Sequence, residues 1–155
     1  MGFRYTDTYA FAETNVFLET APMSPKAPRS PEALFRALAD QTRLRILNLI
    51  GDKEVCVCYF VETLRVPQPK ISRHLAYLRK AGLVETRKQG IWVHYRRAPM
   101  ANPVQTRIVQ DAVSWISQTA IAQQDIKRFA AACCKPRKLL SVAGAPAPQM
   151  VCTSQ

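Results

Sequence analysis

Histidine is almost absent from this chain: 155 residues hold only His74 and His94. A histidine-rich zinc site is therefore hard to build. No run approaches the roughly eighteen consecutive apolar residues a membrane span needs, so no membrane partner is expected. The segment from Met1 to Leu18 mixes acids and aromatics and lacks the basic-then-apolar order of a secretory signal. A cytoplasmic protein is the expectation. Internal repeats are absent too. The cysteines number five, Cys56, Cys58, Cys133, Cys134 and Cys152. An odd set in a reducing compartment reads as thiols rather than as a disulfide framework.

Acidic residues are missing where basic ones gather. The formal net charge is +11. Residues 1–64 hold seven basic and eight acidic groups, whereas residues 65–97 hold nine basic groups and the single acid Glu85. No acid interrupts residues 65–84. A solubilising surface would scatter its charge, but a block of one sign in a fifth of the chain points to a polyanion. Apolar residues make up 48% of the sequence, which is enough for a packed core and excludes wholesale disorder.

Prolines mark the ends of the folded unit. Pro22, Pro25, Pro28 and Pro31 crowd one stretch, and Pro136, Pro146 and Pro148 another. Such stretches hold neither a helix nor a central strand. The expected organisation is an N-terminal extension over 1–29, one domain over 30–135 and a flexible tail over 136–155. The aromatic content of the extension suggests that it packs across a dimer.

Within the domain, Ser30-Pro31-Glu32 is a helix start with a capping hydroxyl, proline at the first position and an acid in the first turn. Asp40 caps a second helix that stops at Gly51. A short third helix is expected over about 57–65. Pro67 and Pro69 force a turn, and a fourth helix runs to Lys80 with Gly82 as its left-handed cap. The period then changes to two. Residues 83–88 and 91–96 around Gln89-Gly90 predict a β-hairpin. Asn102-Pro103 opens one long last helix, to about residue 131, with apolar positions three or four apart. Two short helices around a proline turn, followed by a hairpin, make a winged helix-turn-helix. The fold class is mainly α with a small β-hairpin, and the basic block coincides with the recognition helix and wing.

On the fourth helix, Ile71, Leu75 and Leu78 form the stripe expected to be buried. Lys70, Arg73, His74 and Tyr77 form a polar stripe, with Gln68 and Ser72 at the N-terminal end. A helix fits the DNA major groove, where Gln can pair with adenine and Arg with guanine. Arg87, Lys88 and Gln89 at the hairpin tip are placed for phosphate or the minor groove. Double-stranded operator DNA is the expected partner. Val104, Ile108, Trp115, Ile126 and Phe129 on the last helix exceed what a small domain needs for its own core. They are read as a homodimer interface, as helix-turn-helix proteins commonly pair to read two half-sites.

Residues 35–97 resemble the ArsR/SmtB family of metalloregulatory repressors. Phe35-Arg36-Ala37-Leu38-Ala39-Asp40-Gln41-Thr42-Arg43-Leu44-Arg45-Ile46-Leu47 is similar to that family's "ALADPTRLRIL" opening. Ile71-Ser72-Arg73-His74-Leu75 through Leu78-Arg79-Lys80-Ala81-Gly82-Leu83-Val84 is similar to its "SRHLxxLRxAGLV" recognition helix, and Arg87-Lys88-Gln89-Gly90 with Val93-His94-Tyr95 to its wing. Glu54-Val55-Cys56-Val57-Cys58 resembles the "ELCVC" box of the arsenic-sensing and cadmium/lead-sensing branches. The resemblance implies a dimeric repressor that releases DNA when it binds metal.

Trivalent arsenic and antimony favour thiolates, as soft ions do, and a helix N-terminus favours the thiolate form. Cys56 and Cys58 at the start of the third helix are therefore the expected ligands of arsenite or antimonite as inducer, with no organic cofactor. Positions i and i+2 do not face each other on a regular helix, so either the first turn is irregular or ligation begins before the helix does. Arsenic-sensing relatives often carry a third cysteine where this chain has Val61. Cys133 or Cys134 is the better source of a third thiolate than Cys152. The cadmium/lead branch places extra cysteines in an N-terminal extension, and residues 1–29 have none. Competing readings are a thiol redox repressor, a cadmium/lead sensor of the same fold, and a cysteine enzyme. The last is disfavoured because the cysteine spacing lacks the usual redox motif and its βαβ setting.

Overall fold

The structure, a computed structural model, describes residues 30–134. The expectations for the N-terminal extension, the C-terminal tail and Cys152 lie outside the described residues. Helix α1 (Pro31–Leu38) starts at Ser30, whose hydroxyl accepts the Ala33 N–H at 3.3 Å. Helix α2 (Gln41–Ile50) starts at Asp40, whose carboxylate accepts the Arg43 N–H at 2.9 Å, and ends at Gly51 with φ +52°. Strand β1 (Val55–Cys56), helix α3 (Val57–Leu64) and helix α4 (Gln68–Lys80) follow. Strands β2 (Val84–Gln89) and β3 (Trp92–Arg97) form the wing, and helices α5 (Pro103–Ser117) and α6 (Ala120–Cys134) are the last elements among the described residues.

The core lies where α2, α3 and α4 meet the sheet and α6. Tyr59 and Phe60, neighbours on α3, are both fully buried. Tyr59 packs edge-on against Phe129 of α6 with centroids 6.1 Å apart, and Phe60 against Tyr95 of β3 at 6.5 Å. Each such ring contributes about 1.5–3 kcal/mol of burial free energy. Ile71, Leu75 and Leu78 are fully buried, as their spacing required. Gly82 takes φ +73° after α4, the left-handed position read from the sequence.

Two features depart from the sequence reading. The last helix is two helices. Thr119 caps the second, with its Oγ1 donating to the Ile116 carbonyl at 2.6 Å and accepting the Ala122 N–H at 3.4 Å. Apolar residues at 115 and 122 sit seven apart, so a single period runs across the break and hides it. The hairpin also has a third strand. Strand β1 pairs antiparallel with β3, giving the order β1-β3-β2. In that register Cys56 lies opposite His94, and His94 opposite Arg87. The three therefore form one cross-strand row on one face of the sheet.

Candidate nucleic-acid interface and thiol pair

Helix α4 buries one stripe and presents the other. Gln68, Lys70, Ser72, Arg73 and Tyr77 are exposed and His74 is half-buried. The two residues at the C-terminal end of the stripe are braced from behind. The Arg43 guanidinium stacks on the Tyr77 ring at 4.4 Å. It also donates to the carbonyls of Ala37 and Arg36, each at 2.7 Å. His74 Nδ1 stands 3.5 Å from the Asp40 carboxylate. Burial holds the His74 imidazole below the ordinary histidine range, against the opposing pull of Asp40. Asp40 and Arg43 therefore fix α4 to the α1–α2 corner. That role was not read from the sequence, where Asp40 signals only a cap. The unbraced residues Gln68, Lys70 and Ser72 lie at the N-terminal half, which approaches base edges in this motif.

At the wing, Arg87, Lys88 and Gln89 are exposed around Gly90, whose φ of +59° closes the turn. Arg87 is held from its other side. Its Nε and Nη2 donate to the two Glu54 carboxylate oxygens at 2.6 and 3.1 Å, and Nη2 also reaches Gln89 Oε1 at 3.2 Å. The Arg87 guanidinium in turn keeps the Glu54 carboxyl below the usual carboxylate range.

The thiols of Cys56 and Cys58 meet at 3.1 Å, with the Cys58 thiol donating to Cys56 Sγ. Both are free and buried. They meet because Cys56 is extended (φ −70°, ψ 146°) at the end of β1 while Cys58 is already helical. The pair thus straddles the strand-to-helix junction, which resolves the i, i+2 difficulty. The Cys58 thiol and the backbone amides of Val57, Cys58 and Val93 all stabilise a Cys56 thiolate, and its pKa falls to about 7 despite burial. The Cys58 thiol is pushed up, first by donating to Cys56 and then by burial.

Cys133 stands on the adjoining helix α6, buried, its thiol raised to about 11 by burial against the charge of Lys53. Tyr59 lies between. Its hydroxyl is buried and has no hydrogen-bond partner among the described residues. Its pKa is pushed to about 12, first by burial and then by Cys133, Cys58 and Cys56. All three thiols thus act electrostatically on Tyr59. Among the described residues, however, no three cysteine, histidine or acidic groups converge tightly enough to hold a metal ion as the chain stands. Cys134 closes α6 beside Cys133.

The expected interface residues divide. Trp115 is 78% exposed and Val104 64% exposed on α5. Ile108 and Trp115 line an apolar groove of about 530 Å³ between α1, α2 and α5, together with Phe35, Leu38, Leu44 and Ala112. Ile126 is exposed, but on the separate helix α6. Phe129 is a correction: at 3% exposure against Tyr59 it belongs to the protomer's own core and has no surface left for a second chain.

A family model described as bacterial regulatory protein, arsR family, matches residues 40–86, from the cap of α2 into the wing. The chain is 44% identical over 98 residues to the arsenical resistance operon repressor of Escherichia coli (strain K12), covering 63% of this chain and 82% of that protein. The chain belongs to the arsR family of bacterial regulatory proteins. As an arsR-family member it is a DNA-binding regulator and not an enzyme. It is also 41% identical over 93 residues to the arsenic resistance transcriptional regulator ArsR1 of Pseudomonas putida, covering 57% of this chain and 73% of that one. Among solved structures, HlyU from Vibrio cholerae N16961 is 31% identical with a TM-score of 0.49, covering 56% of this arsR-family chain and 91% of that one. Among the described residues, no helix is long and apolar enough to cross a membrane.

Proposed function

We propose that this chain is a homodimeric operon repressor that releases its operator when Cys56 and Cys58 capture arsenite or antimonite. The observation that carries the reading is the pair of thiols 3.1 Å apart at the end of a strand hydrogen-bonded to the wing. With bonds of about 2.3 Å, two sulfurs stand roughly 3.8 Å apart on a tetrahedral ion and about 3.3 Å apart on a pyramidal one with near-right angles. The pair is closer to the pyramidal geometry, which suits a trivalent ion with a lone pair. The arsenical resistance repressors among the relatives support the same ligand class.

The ligand-free chain favours capture. Cys56 is already partly thiolate near neutral pH, with its pKa at about 7. Each thiol that takes up arsenite gives its proton to a hydroxyl that leaves as water. Cys133, or its neighbour Cys134, is the third thiolate, drawn in by movement of α6 past Tyr59. DNA is read by Gln68, Lys70, Ser72, Arg73, His74 and Tyr77 in the major groove, with Arg87, Lys88 and Gln89 on the flanking backbone. Two copies pair through the apolar groove around Phe35 and Trp115, presenting two recognition helices to two half-sites.

A reporter gene fused to the region upstream of this gene tests the reading in cytoplasmic context. Arsenite relieves repression in the wild type but not in Cys56→Ser or Cys58→Ser. Relief by peroxide alone favours the redox reading, and relief by cadmium alone the divalent-ion reading; either contradicts the assignment. Repression unchanged by deleting the gene removes the operator claim itself.

A further inference from the structure

Glu54 occupies a junction. It immediately precedes strand β1 and lies two residues before Cys56. Its carboxylate reaches across the sheet to Arg87 on the wing, 33 residues away, with the two-pronged geometry of 2.6 and 3.1 Å. Beneath this bridge runs the row Cys56, His94, Arg87. The wing therefore touches the thiol-bearing segment twice, through the β1–β3 ladder and through one ion pair. The pair is half-open to solvent, the two side chains being 31% and 52% exposed. Exposed pairs of this kind add little to fold stability. What the fork geometry supplies is direction, since planar two-point bonding tolerates little displacement of either partner.

We propose that Glu54 is the positioning residue that carries the state of the thiol pair to the DNA-binding wing. This rests on the reading of Cys56 and Cys58 as the inducer site. In the ligand-free chain, Glu54 aims Arg87, whose Nε and Nη2 are engaged, leaving Nη1 for a phosphate. Arg87 in turn holds Gln89 at the tip. Rearrangement of the thiol pair moves the end of β1, and Glu54 moves with it. The fork opens, Arg87 loses its direction, and the wing no longer matches the DNA backbone. The ion pair is thus a part of the DNA-competent state and is absent from the released state.

Linkage gives a test that a merely structural role does not pass. A residue that favours the DNA-competent state lowers the population open to the inducer, so its loss moves the two affinities in opposite directions. In Glu54→Gln, operator affinity of the reduced protein falls about fivefold, the low end of typical couplings. Arsenite affinity measured without DNA rises. Glu54→Asp, which keeps the charge on a shorter arm, falls between Gln and the wild type in both measurements. Equal thermal midpoints for the three proteins confirm that the fold is intact. Operator affinity that is unchanged or tighter in Glu54→Gln overturns the proposal, as does a joint fall of both affinities. Failure of the inducer reading is distinguishable, because the wild type then holds its operator in arsenite whatever stands at 54.

Discussion

Arg45 on α2 is clamped by Asp125 on α6, Nε to Oδ2 at 2.6 Å and Nη2 to Oδ1 at 2.8 Å, with both side chains buried. The clamp ties α6, and with it Cys133, to the helix that leads into the thiol segment. Asp125 also stands 3.7 Å from Arg128, whereas removing Asp125 leaves Arg45 buried without its partner. Asp125→Ala is therefore expected to cost about 3–5 kcal/mol. The double variant Arg45→Met with Asp125→Leu is expected to recover most of it, because apolar replacement of a buried pair is often neutral. Urea denaturation of the wild type, Asp125→Ala and the double variant checks this, and a double variant no more stable than Asp125→Ala contradicts it.

Two classes of contact on the proposed DNA surface should behave differently. Arg73→Ala or Gln68→Ala removes a base contact, costs about 1–3 kcal/mol at one position of the site and relaxes the preference there. Lys70→Gln removes a phosphate contact, weakens all sequences alike and lowers the salt slope by about one. Anisotropy titrations on the operator and on point-substituted operators, each at several salt concentrations, separate the two classes.

Some of this surface was legible because its signals are local. Ser30, Asp40, Gly51 and Gly82 each mark an end through a bond or dihedral that depends on neighbours a few residues away. The buried and polar stripes of α4 follow from helical spacing alone. What was not legible depends on distant partners. Strand β1 is two residues long and is a strand only because β3 lies beside it. Arg45 and Asp125 are 80 residues apart, and Glu54 and Arg87 are 33 apart. Phe129 fits the same stripe as Trp115 by spacing, but the turn at Thr119 rotates it into the core. The proximity of Cys56 and Cys58 needed a junction that neither helix nor strand periodicity describes.

Trp115 is the natural anchor of the proposed dimer. It is 78% exposed in the single chain, so its loss costs the protomer little. A buried aromatic at the centre of an interface typically contributes 2 kcal/mol or more. Trp115→Ala should weaken dimerisation by roughly thirtyfold. Phe129→Ala should instead cost about 3–5 kcal/mol of fold stability, as a buried aromatic does. Sedimentation and urea denaturation together check the contrast. A Trp115→Ala dimer as tight as wild type places the interface elsewhere.

Stability should fall in mild acid. Burial holds the imidazoles of both His74 and His94 below the ordinary range, opposed by Asp40 at the first and aided by Arg87 at the second. Below about pH 6.5 the unfolded chain thus binds more protons than the folded one. The stabilisation is complete above that pH and is lost as pH drops through the lowered folded values. His74→Gln should flatten the dependence in part, leaving the share of His94. Urea midpoints between about pH 7.5 and 5.5 measure it. Stability rising on acidification in that window contradicts the assignment.

The central claim is tested most directly by fluorescence anisotropy of the reduced protein on its own upstream DNA, titrated with arsenite at fixed salt. Fixed salt matters because affinity depends steeply on it. The account predicts release at stoichiometric arsenite, abolished in Cys56→Ser and Cys58→Ser and weakened in Cys133→Ser or Cys134→Ser. A complex that stays intact in arsenite, or that Cys56→Ser releases as readily as the wild type, contradicts it.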